Sequence, residues 1–111
     1  LFNHLENVGN IEYAAVAGYF TGATNAPTDL LIIGSIDEQK LSTFASRIEQ
    51  QINREISYTP MTSNEYQYRL NFSDIFLRQF FAGSYKELIN KLPQQLQPTS
   101  MGQRSSTRVV T

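Results

Sequence analysis

Apolar and polar positions alternate along this chain in blocks that change period, and the changes mark its elements. Leu1, Leu5 and Val8 recur at helical spacing before Gly9-Asn10, which predicts the end of a helix over residues 1–8, a connector from something upstream. Residues 11–20 are rich in Tyr, Val, Phe and small side chains and read as a strand ending at Gly18 or shortly after. Gly22, Asn25 and Pro27 crowd into residues 21–28, a turn. The run Leu30-Leu31-Ile32-Ile33, closed by Gly34, predicts a strand covered on both faces and therefore central in a sheet. Ser35 with Glu38 forms a capping box, and Leu41, Phe44, Ala45, Ile48 and Ile52 then share one stripe of a helix over 37–53.

A third strand is expected over 55–62, with Ile56 and Tyr58 in alternation and Pro60 favouring an edge position. Thr62 with Glu65 forms another capping box, opening a short helix that carries Tyr66, Tyr68 and Leu70. A second short helix starts at Ser73, pairs Phe76 with Phe80 and Leu77 with Phe81 at four-residue spacing, and stops at Gly83. Residues 85–92 form the last strand, with Leu88 and Ile89 as its core. After Pro93 the composition turns to Gln, Ser, Thr and Pro, so 93–111 reads as a flexible tail. The expected fold is α/β (α+β): one domain over 1–92, a small mixed β-sheet with helices packed on it.

Composition narrows the function without naming it. The 111 residues suffice for one modest core, and 41% hydrophobic with 17% charged is a globular balance. Nine basic and ten acidic residues leave a formal charge of −1, which argues against direct nucleic-acid binding by this segment. No run approaches the roughly 20 apolar residues of a membrane helix, and no signal-peptide pattern opens the chain, so a soluble cytoplasmic protein without membrane partners is expected. With no Cys and a single His, His4, no thiolate metal site or His cluster can form. The chain begins at Leu1 rather than Met, consistent with a segment of a longer parent.

One constellation carries chemistry. Gly18-Tyr19-Phe20-Thr21-Gly22 is followed by Thr28-Asp29-Leu30-Leu31-Ile32-Ile33-Gly34. This order resembles the minimal nucleotidyltransferases, in which a Gly-Ser pair ends the first strand and a Ser-Asp-x-Asp-Leu-Leu segment with a trailing Gly makes the second. The likeness covers about residues 8–92. It is nearest to the version fused behind a winged-helix DNA-binding domain in bacterial transcriptional regulators; Glu55-Ile56-Ser57-Tyr58-Thr59, Met61-Thr62, Glu65-Tyr66, Tyr68-Arg69 and Asp74-x-Phe76-Leu77 resemble later segments of those proteins. In the family the Gly lets backbone approach phosphate, the Ser hydroxyl grips it, and two carboxylates one residue apart hold divalent metal.

Matched position by position, Gly18 stands at the family glycine and Tyr19 at the serine. Asp29 is the second acid, Pro27 replaces the first, and Glu55 is the candidate for the third carboxylate. The resemblance therefore implies a degenerate domain. Its candidate ligand-binding residues are Gly18, Tyr19, Gly22 and Asp29, its catalytic candidates are Asp29 and Glu55 alone, and no metal or other cofactor is expected. The implied function is a regulatory, ligand-sensing or dimerisation module of a transcriptional regulator, with an upstream DNA-binding domain and a homodimer as partners.

Two alternatives stay open: an active nucleotidyltransferase using Mg with Asp29 and Glu55, and a nucleotide- or small-molecule-binding module without catalysis. Plainer readings accompany the residues. Asp29 is also what a strand start after a turn looks like, Gly18 and Gly22 serve any tight turn, and Gly34 reads as a strand terminator. The aromatics Tyr58, Tyr66, Tyr68, Phe76, Phe80 and Phe81 read as core, with some left for a dimer or inter-domain contact. Arg69, Asp74 and Arg78 read as a surface ion-pair set.

Overall fold

Four strands and three helices follow one another in the order β1 (Gly9–Val16), β2 (Leu30–Ile36), α1 (Glu38–Ile52), β3 (Tyr58–Met61), α2 (Ser63–Asn71), α3 (Ile75–Ala82), β4 (Lys86–Asn90). The computed structural model describes residues 1–98. The sheet is mixed, with strand order β3-β2-β1-β4: β1 runs antiparallel to β2 and β4, while β2 and β3 are parallel. The fold is α+β, and the apolar run of β2 occupies an interior position as its pattern predicts. Pro60 sits on the edge strand β3, where a missing N–H costs no ladder bond to a further strand.

Strand periodicity divides the core in two. Even-numbered Ala14, Val16, Leu30 and Ile32 face α1, where Leu41, Phe44, Ala45 and Ile48 meet them together with Leu5 and Val8. Odd-numbered Tyr13, Ala15, Leu31 and Ile33 face the other layer with Tyr66, Leu77, Phe80 and Phe81. Ile11 breaks the parity by joining the α1 side, because a register shift between Ile11 and Tyr13 reverses the side-chain alternation there.

Several boundaries differ from the sequence pattern, each for a local reason. Residues 1–8 hold no connector helix; Leu5–Val8 is a single 3-10 turn whose Leu5 and Val8 are buried under the sheet. Asp37, not Ser35, caps α1, its carboxylate accepting from the amides of Gln39 (3.0 Å) and Lys40 (3.1 Å). β2 continues through Gly34 and Ser35 to Ile36, so Gly34 is an interior strand residue; a Cβ on it would meet the Asn10 carbonyl oxygen at 2.2 Å. The third strand starts at Tyr58, leaving Glu55 in the connection from α1. Thr62 does cap α2, accepting from the Glu65 amide at 3.0 Å.

Residues 93–98 are tied to the body, unlike the free tail expected from Pro93 onward. A 3-10 turn at Gln94–Leu96 follows buried Leu92, and the Tyr66 hydroxyl donates to the Leu96 carbonyl at 2.7 Å. The remainder of the expected tail, 99–111, lies outside the described residues. No helix among the described residues is long and apolar enough to cross a membrane.

Candidate functional site

The turn after β1 folds back on the start of β2. Gly18–Phe20 forms a 3-10 turn, and Gly18 adopts φ +55, a left-handed conformation that L side chains rarely take. A Cβ at Gly18 would lie 2.1 Å from Oδ1 of Asp29, so both the dihedral and the space require glycine. The sequence thus brings three of its candidates, Gly18, Tyr19 and Asp29, to one point. Gly22 joins through its amide, which donates to the Gly18 carbonyl at 2.8 Å and closes the turn.

What Asp29 does there is set by its donors. Oδ1 accepts from the Tyr19 amide at 2.9 Å. Oδ2 accepts from the Ser57 amide at 2.9 Å and from the Ser57 hydroxyl at 3.3 Å. Its backbone is bound as well: the Asp29 carbonyl accepts from Ala17 N–H at 2.9 Å. The carboxylate therefore staples the β1–β2 turn to the chain that leads into β3. Each lone bond of this charge-assisted kind is worth more than a neutral one.

Ser57 is the residue the sequence reading missed. Its partnership follows from parallel register: Leu30 pairs with Tyr58, so the residues just before them, Asp29 and Ser57, are brought side by side. Nothing local in Ser57-Tyr58 announces that register. Behind the staple, the buried Thr28 hydroxyl sits 3.0 Å from that of Thr59, a second cross-link between the same two strands.

Glu55 lies exposed in the α1–β3 connection, and the hydrogen bonds of Asp29 bypass it for Ser57. Tyr19 is 45% exposed, and the Arg54 guanidinium covers its ring at 4.5 Å from the centroid. At this turn the chain presents an aromatic face capped by a cation.

This donor set does not fit a divalent ion. Asp29 brings a single carboxylate, some of whose lone pairs already go to protein N–H and O–H groups, Pro27 supplies no oxygen side chain, and Ca²⁺ or Mg²⁺ needs about six oxygen ligands. Among the described residues no group of three or more His, Asp or Glu side chains is placed to hold a metal.

Elsewhere Arg69 bridges Glu65 (3.1 Å) and Asp74 (3.2 Å): the Arg69–Asp74 pair is present as expected, Glu65 adds a second carboxylate, and Arg78 forms no ion pair among the described residues. Burial works to lower the Arg69 pKa, but the hydrogen bonds to Glu65 and Asp74 outweigh it and the net direction is upward. Of the six aromatics, Tyr66, Phe80 and Phe81 are core, while Tyr68 stands out 66% exposed. Tyr68 packs against Phe72 with the rings tilted (centroids 4.8 Å apart), and Phe72 and Ile75 are themselves 69% and 62% exposed, which leaves an apolar corner between α2 and α3. No family model, curated protein or solved structure matches the chain.

Proposed function

We propose that this chain is a non-catalytic domain of nucleotidyltransferase-like architecture, a regulatory module that senses a ligand or forms a dimer within a transcriptional regulator whose DNA-binding domain lies upstream in the same parent chain. The observation that carries the reading is the engagement of Asp29. The acid at the head of β2, where the resembled enzymes keep metal-binding carboxylates, spends both oxygens on Tyr19 and Ser57. A carboxylate held this way organises the turn, and its removal costs structure before it costs chemistry.

Two further features support a contact role. The mixed sheet with covered faces is a rigid support, and the exposed Tyr68, Phe72 and Ile75 corner has the aromatic, apolar character enriched in protein interfaces. The regulator setting rests on the sequence resemblance alone.

Calorimetric titration of the domain with each nucleoside triphosphate, with and without Mg²⁺, tests the reading. It predicts no magnesium-dependent heat. Magnesium-dependent binding that Asp29→Asn abolishes would establish the enzymatic alternative instead, and metal-independent heat would identify the sensed ligand class. Deleting the domain from the full-length parent should change oligomeric state or operator binding; no change in either removes the regulatory role.

A further inference from the structure

We propose a second site, remote from Asp29: the groove between the Leu5–Val8 turn and α1 binds a small organic anion with an apolar, preferably aromatic, body. The groove is an open hollow of about 450 Å³, within the roughly 300–1,000 Å³ of small-molecule sites. Val8 and Phe44 lie beneath it, each 3% exposed and each part of the α1-side core, so they hold its shape firmly while offering little surface of their own.

The rim carries the charge. Lys40 and Arg47 project from α1 seven residues apart, two helical turns or about 10 Å, and His4 meets them from the facing turn. No Asp or Glu lines the groove, and among the described residues neither Lys40 nor Arg47 has an ion-pair partner. Arg69 is the one ion-paired Lys or Arg among the described residues, so what sets Lys40 and Arg47 apart is that they line a single hollow together.

Exposed Lys and Arg on a helix are ordinarily solvated, so convergence across two elements is the point that matters. His4 holds φ +69, one of three non-glycine residues in the left-handed region among the described residues, and the turn that presents it is anchored by the Asn7 amide on the His4 carbonyl (3.0 Å) and by the Asp37 amide on the Val8 carbonyl (2.8 Å). As with Asn53 at the end of α1, the left-handed conformation belongs to a helix boundary, and here it fixes where the turn sets His4 along the hollow. Arg47 lies over the Phe44 ring at 5.3 Å from its centroid, forming a flat cationic wall against which an aromatic anion can stack.

A polyanion fits less well. The next residue in the seven-residue series, Arg54, is engaged by the Tyr19 ring and the Glu55 carbonyl, so the cationic row stops after Arg47. None of these groove residues touches the Asp29 staple. Failure at one site therefore leaves the other standing.

The test is a chemical-shift titration of the isotope-labelled chain with 1-naphthyl phosphate, compared with inorganic phosphate, with 1-naphthalenemethanol and with a short DNA duplex. The expected result is saturable shifts at Val8, Thr43 and Arg47 with naphthyl phosphate, weaker with either half alone. Lys40→Gln with Arg47→Gln, both exposed, should keep the folded spectrum and weaken binding at least roughly tenfold. No shifts at millimolar probe, equal binding by the double variant, or an equal response to inorganic phosphate would each overturn the proposal. Tighter, steeply salt-dependent binding of DNA would replace it with a nucleic-acid surface.

Discussion

Asp29 binds donors from two separate segments, and that single side chain decides how the turn region is understood. Asp29→Ala should cost about 2–3 kcal/mol of unfolding free energy, because it removes charge-assisted bonds and leaves the Tyr19 and Ser57 amides without their acceptor. Ser57→Ala should cost less, roughly 0.5–1.5 kcal/mol, since the Ser57 amide bond survives. Gly18→Ala forces Cβ onto Asp29 Oδ1 and should destabilise by more than Gly22→Ala, whose Cβ meets nothing within 4 Å; urea denaturation of the four variants checks the order. At this scale the sequence showed which residues gather, since Gly18 and Asp29 flank a turn-rich stretch before an apolar strand. It did not show Ser57, because a partner across a parallel pairing leaves no local trace, and it placed Glu55 in a strand that begins only at Tyr58.

Elements with strong periodicity were legible nearly to their ends, as was the Thr62 cap of α2, while the α1 cap and the short turns were not. The stripe of α1 appears as read, yet its cap moves from Ser35 to Asp37 because β2 runs on through Ile36 and keeps Ser35 extended. Both residues are good caps by type, and only the strand's length chooses between them. Asp37→Ala should therefore lower stability by about 1 kcal/mol and Ser35→Ala by a few tenths at most, measured by thermal or urea unfolding. The Leu1-Leu5-Val8 spacing suits a helix, but burial of Leu5 and Val8 beneath the sheet is satisfied by one 3-10 turn. Residues 93–98 look solvent-loving by composition and are nevertheless fixed, through Leu92 in the core and the Tyr66 bond to Leu96.

The molecule as a whole has two core layers of different character, and among the described residues the fully buried ionisable groups lie on the α2/α3 side. The Tyr13 and Tyr66 phenols lie there, raised above their ordinary value of 10.0, by burial first and, for Tyr13, by its 2.7 Å hydrogen bond to Glu87 next. Below about pH 10 both states keep these protons, so the burial contribution is complete. Above it the unfolded chain releases them and the folded protein does not, so stability falls as pH rises, by about 1 kcal/mol between pH 10 and 11 for each tyrosine. Tyr66→Phe should cost about 1 kcal/mol at pH 8 through the lost bond to Leu96, yet show a shallower decline between pH 10 and 11; an unchanged slope in denaturation curves contradicts this assignment. The two-sided sheet itself was legible from the unbroken apolar run of β2.

The most direct test of the central claim is paramagnetic broadening by Mn²⁺ in the presence of ATP, read at the Gly18, Tyr19 and Ser57 amides. With Asp29 serving as a staple, these signals stay sharp while the ion is added, apart from uniform loss across the spectrum. Selective broadening at those three amides, absent from the Asp29→Asn protein, contradicts the account and returns the acid to metal chemistry.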